Sequence, residues 1–302
     1  MFVLLVVVLS AVFAIEQPWV DLATRARQRR NADDLAGAEL LGREALQLAE
    51  KQLGPEDKQL TPLLGDLAMS LHLEARDAEA DPIAHRAFLI AKESGDQRLT
   101  GLMLNILGVV LSGEGQKARA EPVLRRSVAL LEPDSLDFAR AANNLATLYL
   151  DTHQYVKAQQ EMARALPVYE QHLGPSDWEF ALALGNMFTM LAAQHRAAEG
   201  EPYLRRAVAI VEIAFPRSLE MAHLQLCLAA LEESRENFKG AAHLLEQAMA
   251  TQERVLGPEH PELAHSLVAY ASVLRRMHQK TGAKNALNRA NMILKSALGD
   301  VK

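Results

Sequence analysis

Alanine, glycine and serine recur along this chain on a near-constant pitch, and that recurrence restricts its fold more than any other feature. Ala38, Ala80, Ala120, Ala158, Gly200, Ala241 and Ala283 follow one another at intervals of 42, 40, 38, 42, 41 and 42 residues. Seven residues after each stands a second small residue: Ala45, Ala87, Ser127, Ala165, Ala207, Ala248 and Ala290. Twelve residues before come Ala26, Ala68, Gly108, Ala146, Ala229 and Ala271, with Phe188 as the exception in the fifth unit. Helices approach closely only where a methyl group or a hydrogen replaces a bulky side chain. Three such positions at fixed mutual spacing therefore mark helix crossings, repeated seven times.

The residues around these positions complete two helices per unit. A large apolar residue precedes the first small position (Leu67, Leu107, Leu145, Met187, Leu228, Tyr270), and Leu71, Leu111, Tyr149, Leu191 or Leu274 follows it four residues later. That i, i+4 pairing gives the first helix one buried face. Leu46, Phe88, Val128, Leu166, Val208 and Met249 do the same for the second. Pro82, Pro122 and Pro202 are expected in the first turn of their helices, where a missing N–H costs nothing. Leu53-Gly54-Pro55, Leu173-Gly174-Pro175 and Leu256-Gly257-Pro258 end second helices, glycine through its left-handed conformation and proline by blocking resumption. The expected architecture is an all-α solenoid of about seven helix-turn-helix units.

Composition narrows the function. Aromatics make up 5% of the 302 residues, as suits close-packed helices better than sheets. Thirty-two basic and 38 acidic residues are scattered along the chain, net charge −6, so no basic face invites nucleic acid. Phosphate-binding loops, nucleophile elbows and His-Glu-x-x-His strings are absent, and no catalysis, cofactor or metal is expected. His260, Glu262 and His265 come nearest to a metal motif, but His260 falls in an inter-unit loop and the i, i+5 spacing separates the two imidazoles. Cys227 is the single cysteine and sits in an apolar helical stretch as a small buried filler.

Residues 2–15 form an apolar or small-residue run with Val12 and Ala14 suiting a cleavage site, so residues 1–14 are read as a secretory signal. No lysine or arginine precedes the run, and it is short for a bilayer span, which leaves an uncleaved membrane anchor as the alternative. Residues 15–302 form the solenoid, exported to the periplasm or secreted.

Small residues at these offsets resemble the tetratricopeptide repeat. The 42-residue pitch, the Leu-Gly-Pro-Glu-His-Pro ending at residues 256–261 and the Asn143–Tyr149 segment look like the kinesin light chain subtype. The resemblance covers residues 16 to 298. It implies a right-handed superhelix whose first helices line a concave groove for a peptide or partner protein, either as a scaffold or as a sensor that changes pitch when a peptide binds. It also implies that residues one to three places before the large apolar residue of the first helix face inward. Asn105, Asn143, Asn144 and Asn186 hold those places here, and their paired donor and acceptor resemble the family's grip on a peptide backbone. Arg140, one turn before Asn144, is placed to meet a carboxylate. Arg25, Arg27, Arg29 and Arg30 depart from the apolar pattern in the first unit, and Lys284, Asn285, Asn288, Arg289, Asn291 and Lys295 in the last, as terminal caps do.

Overall fold

The structure is a computed structural model that describes residues 17–32, 34–174, 177–214 and 218–299. The expected signal or anchor at residues 1–14 lies outside them. No described helix is long and apolar enough to cross a membrane. Fourteen helices, and no strand among the described residues, form seven antiparallel pairs. These are α1 (Pro18–Asn31) with α2 (Leu35–Leu53), α3 (Leu60–Leu73) with α4 (Asp77–Glu93), and α5 (Gln97–Gly113) with α6 (Lys117–Leu130). They continue as α7 (Leu136–Asp151) with α8 (Tyr155–Leu173), α9 (Trp178–Ala192) with α10 (Ala197–Ala214), α11 (Leu219–Ser234) with α12 (Phe238–Leu256), and α13 (Pro261–Arg276) with α14 (Lys280–Gly299).

The small positions are the crossing points. Ala38, Ala80, Ala120, Ala158, Ala241 and Ala283 are buried, as are Ala45, Ala87, Ser127, Ala165, Ala207, Ala248 and Ala290 on the same helices. Unit five inverts the rule. Phe188 fills the place of the first small residue, and glycine replaces the facing alanine: a Cβ on Gly200 would stand 2.9 Å from Phe188 Cδ2 and 3.2 Å from its Cα. One large and one minimal residue thus keep the spacing that two alanines keep elsewhere.

The first helices from α3 to α13 stop at the same device. Leu71, Leu111, Tyr149, Leu191, Glu232 and Leu274 accept a backbone hydrogen bond from the residue five positions on, at 2.7–2.9 Å. The residue between adopts positive φ: Ala75, Gly115, His153, His195, Glu236 and His278, with φ of 57–78°. This is the Schellman stop, in which a left-handed residue turns the chain so that the last carbonyls find donors. Gly54, Gly174 and Gly257 end second helices at φ of 79–92° with ψ of 161–178°. Their conformation is the extended positive-φ corner, not the left-handed helical one expected, and it is open only to glycine.

Pro82, Pro122 and Pro202 are each the sixth residue of their helix, one turn deeper than the sequence pattern places them. The helices begin earlier because Arg76, Gln116 and Arg196 accept the first helical bonds through their carbonyls. Each proline consequently removes one bond from the second turn.

In a curved stack the inner row of helices is the tighter one. Successive first helices touch from α1 through α3, α5, α7 and α9 to α11, whereas no successive second helices come comparably close. First helices therefore line the inside. The row is interrupted at its last step, since α11 and α13 do not approach in the same way. The arginine-rich α1 is an ordered cap: Arg27 meets the Asp66 carboxylate on α3 at 2.5 Å, and Arg30 reaches the same carboxylate and the Asp66 carbonyl at 3.1 Å.

Candidate functional site

One residue column of the inner wall crosses the junctions from unit two to unit six. On α5, α7, α9 and α11, the residue just before the large apolar position leans over the preceding first helix. Ile106 lies over Gly65, where a Cβ would come within 2.7 Å of the Ile106 methyl. Asn144 Nδ2 donates to Asn105 Oδ1 at 3.0 Å, and Asn186 Nδ2 donates to Asn143 Oδ1 at 3.0 Å. Cys227 Sγ lies 4.0 Å from the Gly185 carbonyl.

The four asparagines expected at the groove thus form two rungs that tie units three, four and five together. All four are half-buried. Asn105 and Asn143 spend only their oxygens on the rungs, and Asn144 and Asn186 only their nitrogens. Among the described residues none makes a second side-chain hydrogen bond. Two NH2 groups and two carbonyl oxygens are left over on successive first helices, the complement of an extended backbone.

Arg140 is committed inside the chain. Its Nε and Nη2 donate to the two oxygens of Glu179 on α9 at 2.6 and 2.7 Å. Those bonds hold its pKa above the ordinary arginine value, against partial burial. Asp137 lies 3.8 Å from the same guanidinium and itself receives Arg98 at 2.5 Å. Arg140 meets a carboxylate, as its position predicts, but the carboxylate belongs to the chain itself and not to a partner. The signal was present: Arg27–Asp66, Arg98–Asp137 and Arg140–Glu179 are each 39 residues apart.

Cys227 is more than a filler. It lies 3.3 Å from Thr189 Oγ1 and 3.9 Å from His223 Nε2. The charge of Cys227 raises the His223 pKa to about 8 against burial, with smaller help from Glu262 and Glu220. Burial would raise the thiol, but His223 and Thr189 lower it.

His260 is the N-cap of α13, its Nδ1 accepting the Glu262 N–H at 3.3 Å, while His265 is exposed one turn further on. The buried Nε2 of His260 has no hydrogen-bond partner among the described residues. Burial lowers its pKa, opposed by Glu262 and by the Leu73 backbone. Leu73 ends α3, so the superhelix brings the entry of unit seven against the exit of unit two. No group of three or more His, Cys, Asp or Glu is placed to hold a metal among the described residues.

Residues 220–291 and residues 138–179 match models of the tetratricopeptide repeat. No curated protein matches the chain. Among solved structures it is similar to the Rap conjugation gene regulator of plasmid pLS20 in complex with the Phr* peptide, with a TM-score of 0.75 at 11% identity over 97% of this chain and 80% of that one. A Rap protein complexed with Competence and Sporulation Factor superposes at 0.74, with 13% identity over 93% and 76%. A kinesin light chain of Podosopora anserina with nearly identical TPR-like repeats gives 0.52, with 18% identity over 65% and 96%. At these identities the likeness is one of fold, and it does not single out the 42-residue subtype.

Proposed function

Since the chain is a tetratricopeptide-repeat solenoid, we propose that it is a non-catalytic scaffold that holds an extended segment of a partner protein along its inner face. The asparagine rungs carry this reading. They set unpaired donors and acceptors side by side on three successive first helices, where a peptide backbone can take them up. The flanking Arg98–Asp137 and Arg140–Glu179 pairs keep the wall rigid and locally neutral. Affinity would come from apolar burial between the rungs, and direction from the amides.

The test is affinity capture from extracts of the source cells, comparing the wild type with Asn144→Ala/Asn186→Ala. The double variant also loses two inter-unit hydrogen bonds, each contributing about 1 kcal/mol, so its melting temperature is measured alongside. Capture lost with helicity retained supports the reading. Undiminished capture removes it.

A second reading, a peptide-responsive sensor whose superhelix changes pitch, draws on the fold shared with a Rap structure in complex with the Phr* peptide and another complexed with Competence and Sporulation Factor. Compaction on peptide addition, seen by small-angle scattering, separates it from a static scaffold. We further propose that the protein works outside the cytoplasm, on the strength of the apolar run at residues 2–15. Mass spectrometry of the protein from its native host, showing a mature chain that starts at Ile15, would support this.

A further inference from the structure

The residue column that closes the junctions from unit two to unit six leaves the last one open. Ile106, Asn144, Asn186 and Cys227 each reach across to the preceding first helix. The next residue in the column is Ala269, whose methyl group cannot bridge. Beside it lies a cavity of about 160 Å³ between α11, α12 and α13, lined by Leu226, Ala229, Leu245 and Ala269 together with Glu233, His265 and Ser266. An apolar cavity of roughly 150 Å³ takes a group the size of benzene. This one opens where the row of first helices is interrupted, and beside it Val268 is 48% exposed on α13.

A second pattern stops at the same place. The first turn of the first helix carries a carboxylate in units four to seven: Asp137, Glu179, Glu220 and Glu262, each 21 residues before its unit's alanine or glycine. Asp137 is neutralised by Arg98 and Glu179 by Arg140. The places equivalent to Arg140 in units five and six hold Leu182 and His223. Glu220 and Glu262 consequently have no arginine or lysine partner among the described residues, and His223, the one imidazole near both, is engaged first by Cys227.

We propose that the inner face of units five to seven binds an extended peptide through a lysine or arginine set against Glu220 and Glu262 and an aliphatic side chain seated in the α11–α13 cavity. The basic residue takes over the part that Arg98 and Arg140 play in the earlier units, and the aliphatic one replaces the missing bridge at Ala269. Glu262 lies one turn, about 5.4 Å, before Ser266 in the cavity lining. Two residues of extended chain span roughly 6.6–7 Å, with their side chains on one side. The recognised element is accordingly basic-x-aliphatic, in either direction. This inference rests on the reading of the inner face as a peptide groove and specifies what its C-terminal part accepts.

The experiment pans a phage-displayed random dodecapeptide library on the full chain. It then measures a synthetic peptide of the enriched sequence by fluorescence anisotropy against the wild type, Glu262→Lys, Glu262→Gln and Ala269→Trp. Ala269 and Glu262 are exposed, so these variants keep the fold, as circular dichroism will show. The expected result is enrichment of lysine or arginine two places from leucine, isoleucine or methionine. Affinity should fall about tenfold in Glu262→Lys, less in Glu262→Gln, and be lost in Ala269→Trp. Enriched peptides that ignore Glu262→Lys and Ala269→Trp but fail on Asn144→Ala/Asn186→Ala overturn the inference and leave the groove intact. A wild type that enriches nothing overturns both. Self-association in sedimentation that Ala269→Trp abolishes assigns the cavity to a second copy of the chain and likewise overturns it.

Discussion

Five of the six described Schellman stops place a side-chain-bearing residue where glycine is at ease. Ala75, His153, His195, Glu236 and His278 sit at φ of 57–61°, while unit three alone uses Gly115. A left-handed L-residue costs about 1–2 kcal/mol, and glycine returns part of that as lost freedom of the unfolded chain. Ala75→Gly should therefore stabilise the fold by about 0.5–1 kcal/mol, read as a higher urea midpoint at unchanged slope. A lower midpoint would show that the Ala75 methyl is held by contacts that outweigh its backbone strain. The asparagines teach a related lesson at this scale. Their identity was legible in the sequence, but their bonding was not, because each rung joins residues offset by one position in the repeat and separated by 39 or 43 positions in the chain.

Between elements, second helices are joined by a staple that recurs at every other or third junction. Arg86 meets Glu50 at 2.5 Å, Arg206 meets Glu170 at 2.9 Å, and Arg289 meets Glu253 at 2.5 Å, each pair 36 residues apart. Arg86 and Arg289 also donate to the carbonyls of Pro55 and Pro258 in the inter-unit turns. Glu50, Glu170 and Glu253 are thus structural contacts. Between units two and three the equivalent pair is Lys92 and Arg126, two like charges. Lys92→Glu should convert repulsion into the missing staple and raise stability by about 0.2–1 kcal/mol, an increase that 0.5 M salt diminishes. A lower melting temperature at low salt would refute the equivalence. The helix pairs themselves were readable because small residues can occupy a crossing point in only one register. The proline register was not, because α4, α6 and α10 begin with carbonyls of Arg76, Gln116 and Arg196, whose side chains announce no cap.

At the scale of the whole molecule, the His260 ring of unit seven lies beside the Leu73 backbone at the end of the first helix of unit two. Burial lowers the His260 pKa in the folded chain, against the pull of Glu262 and the Leu73 backbone, while the unfolded chain takes its proton near 6.5. Between those two values the open or unfolded chain binds more protons. Burial of the neutral ring therefore stabilises the fold fully above about pH 6.5 and less as pH falls through the lower folded value, while the Leu73 backbone, which favours the protonated ring, opposes that loss. The melting temperature should fall more between pH 7.5 and pH 5 in the wild type than in His260→Gln. Equal falls in the two proteins would rule out His260 as the source. This long-range meeting had no counterpart in the sequence, where residues 73 and 260 share no pattern; it emerges from the summed turn of five units. The meeting of α3 with the start of α13 also governs how anything gets in. An open trough can be approached from the side by the middle of a rope, but a hoop must be threaded by a loose end or unfastened first. Tails and short free peptides can then enter without delay, whereas a loop tethered at both ends has to wait for the clasp.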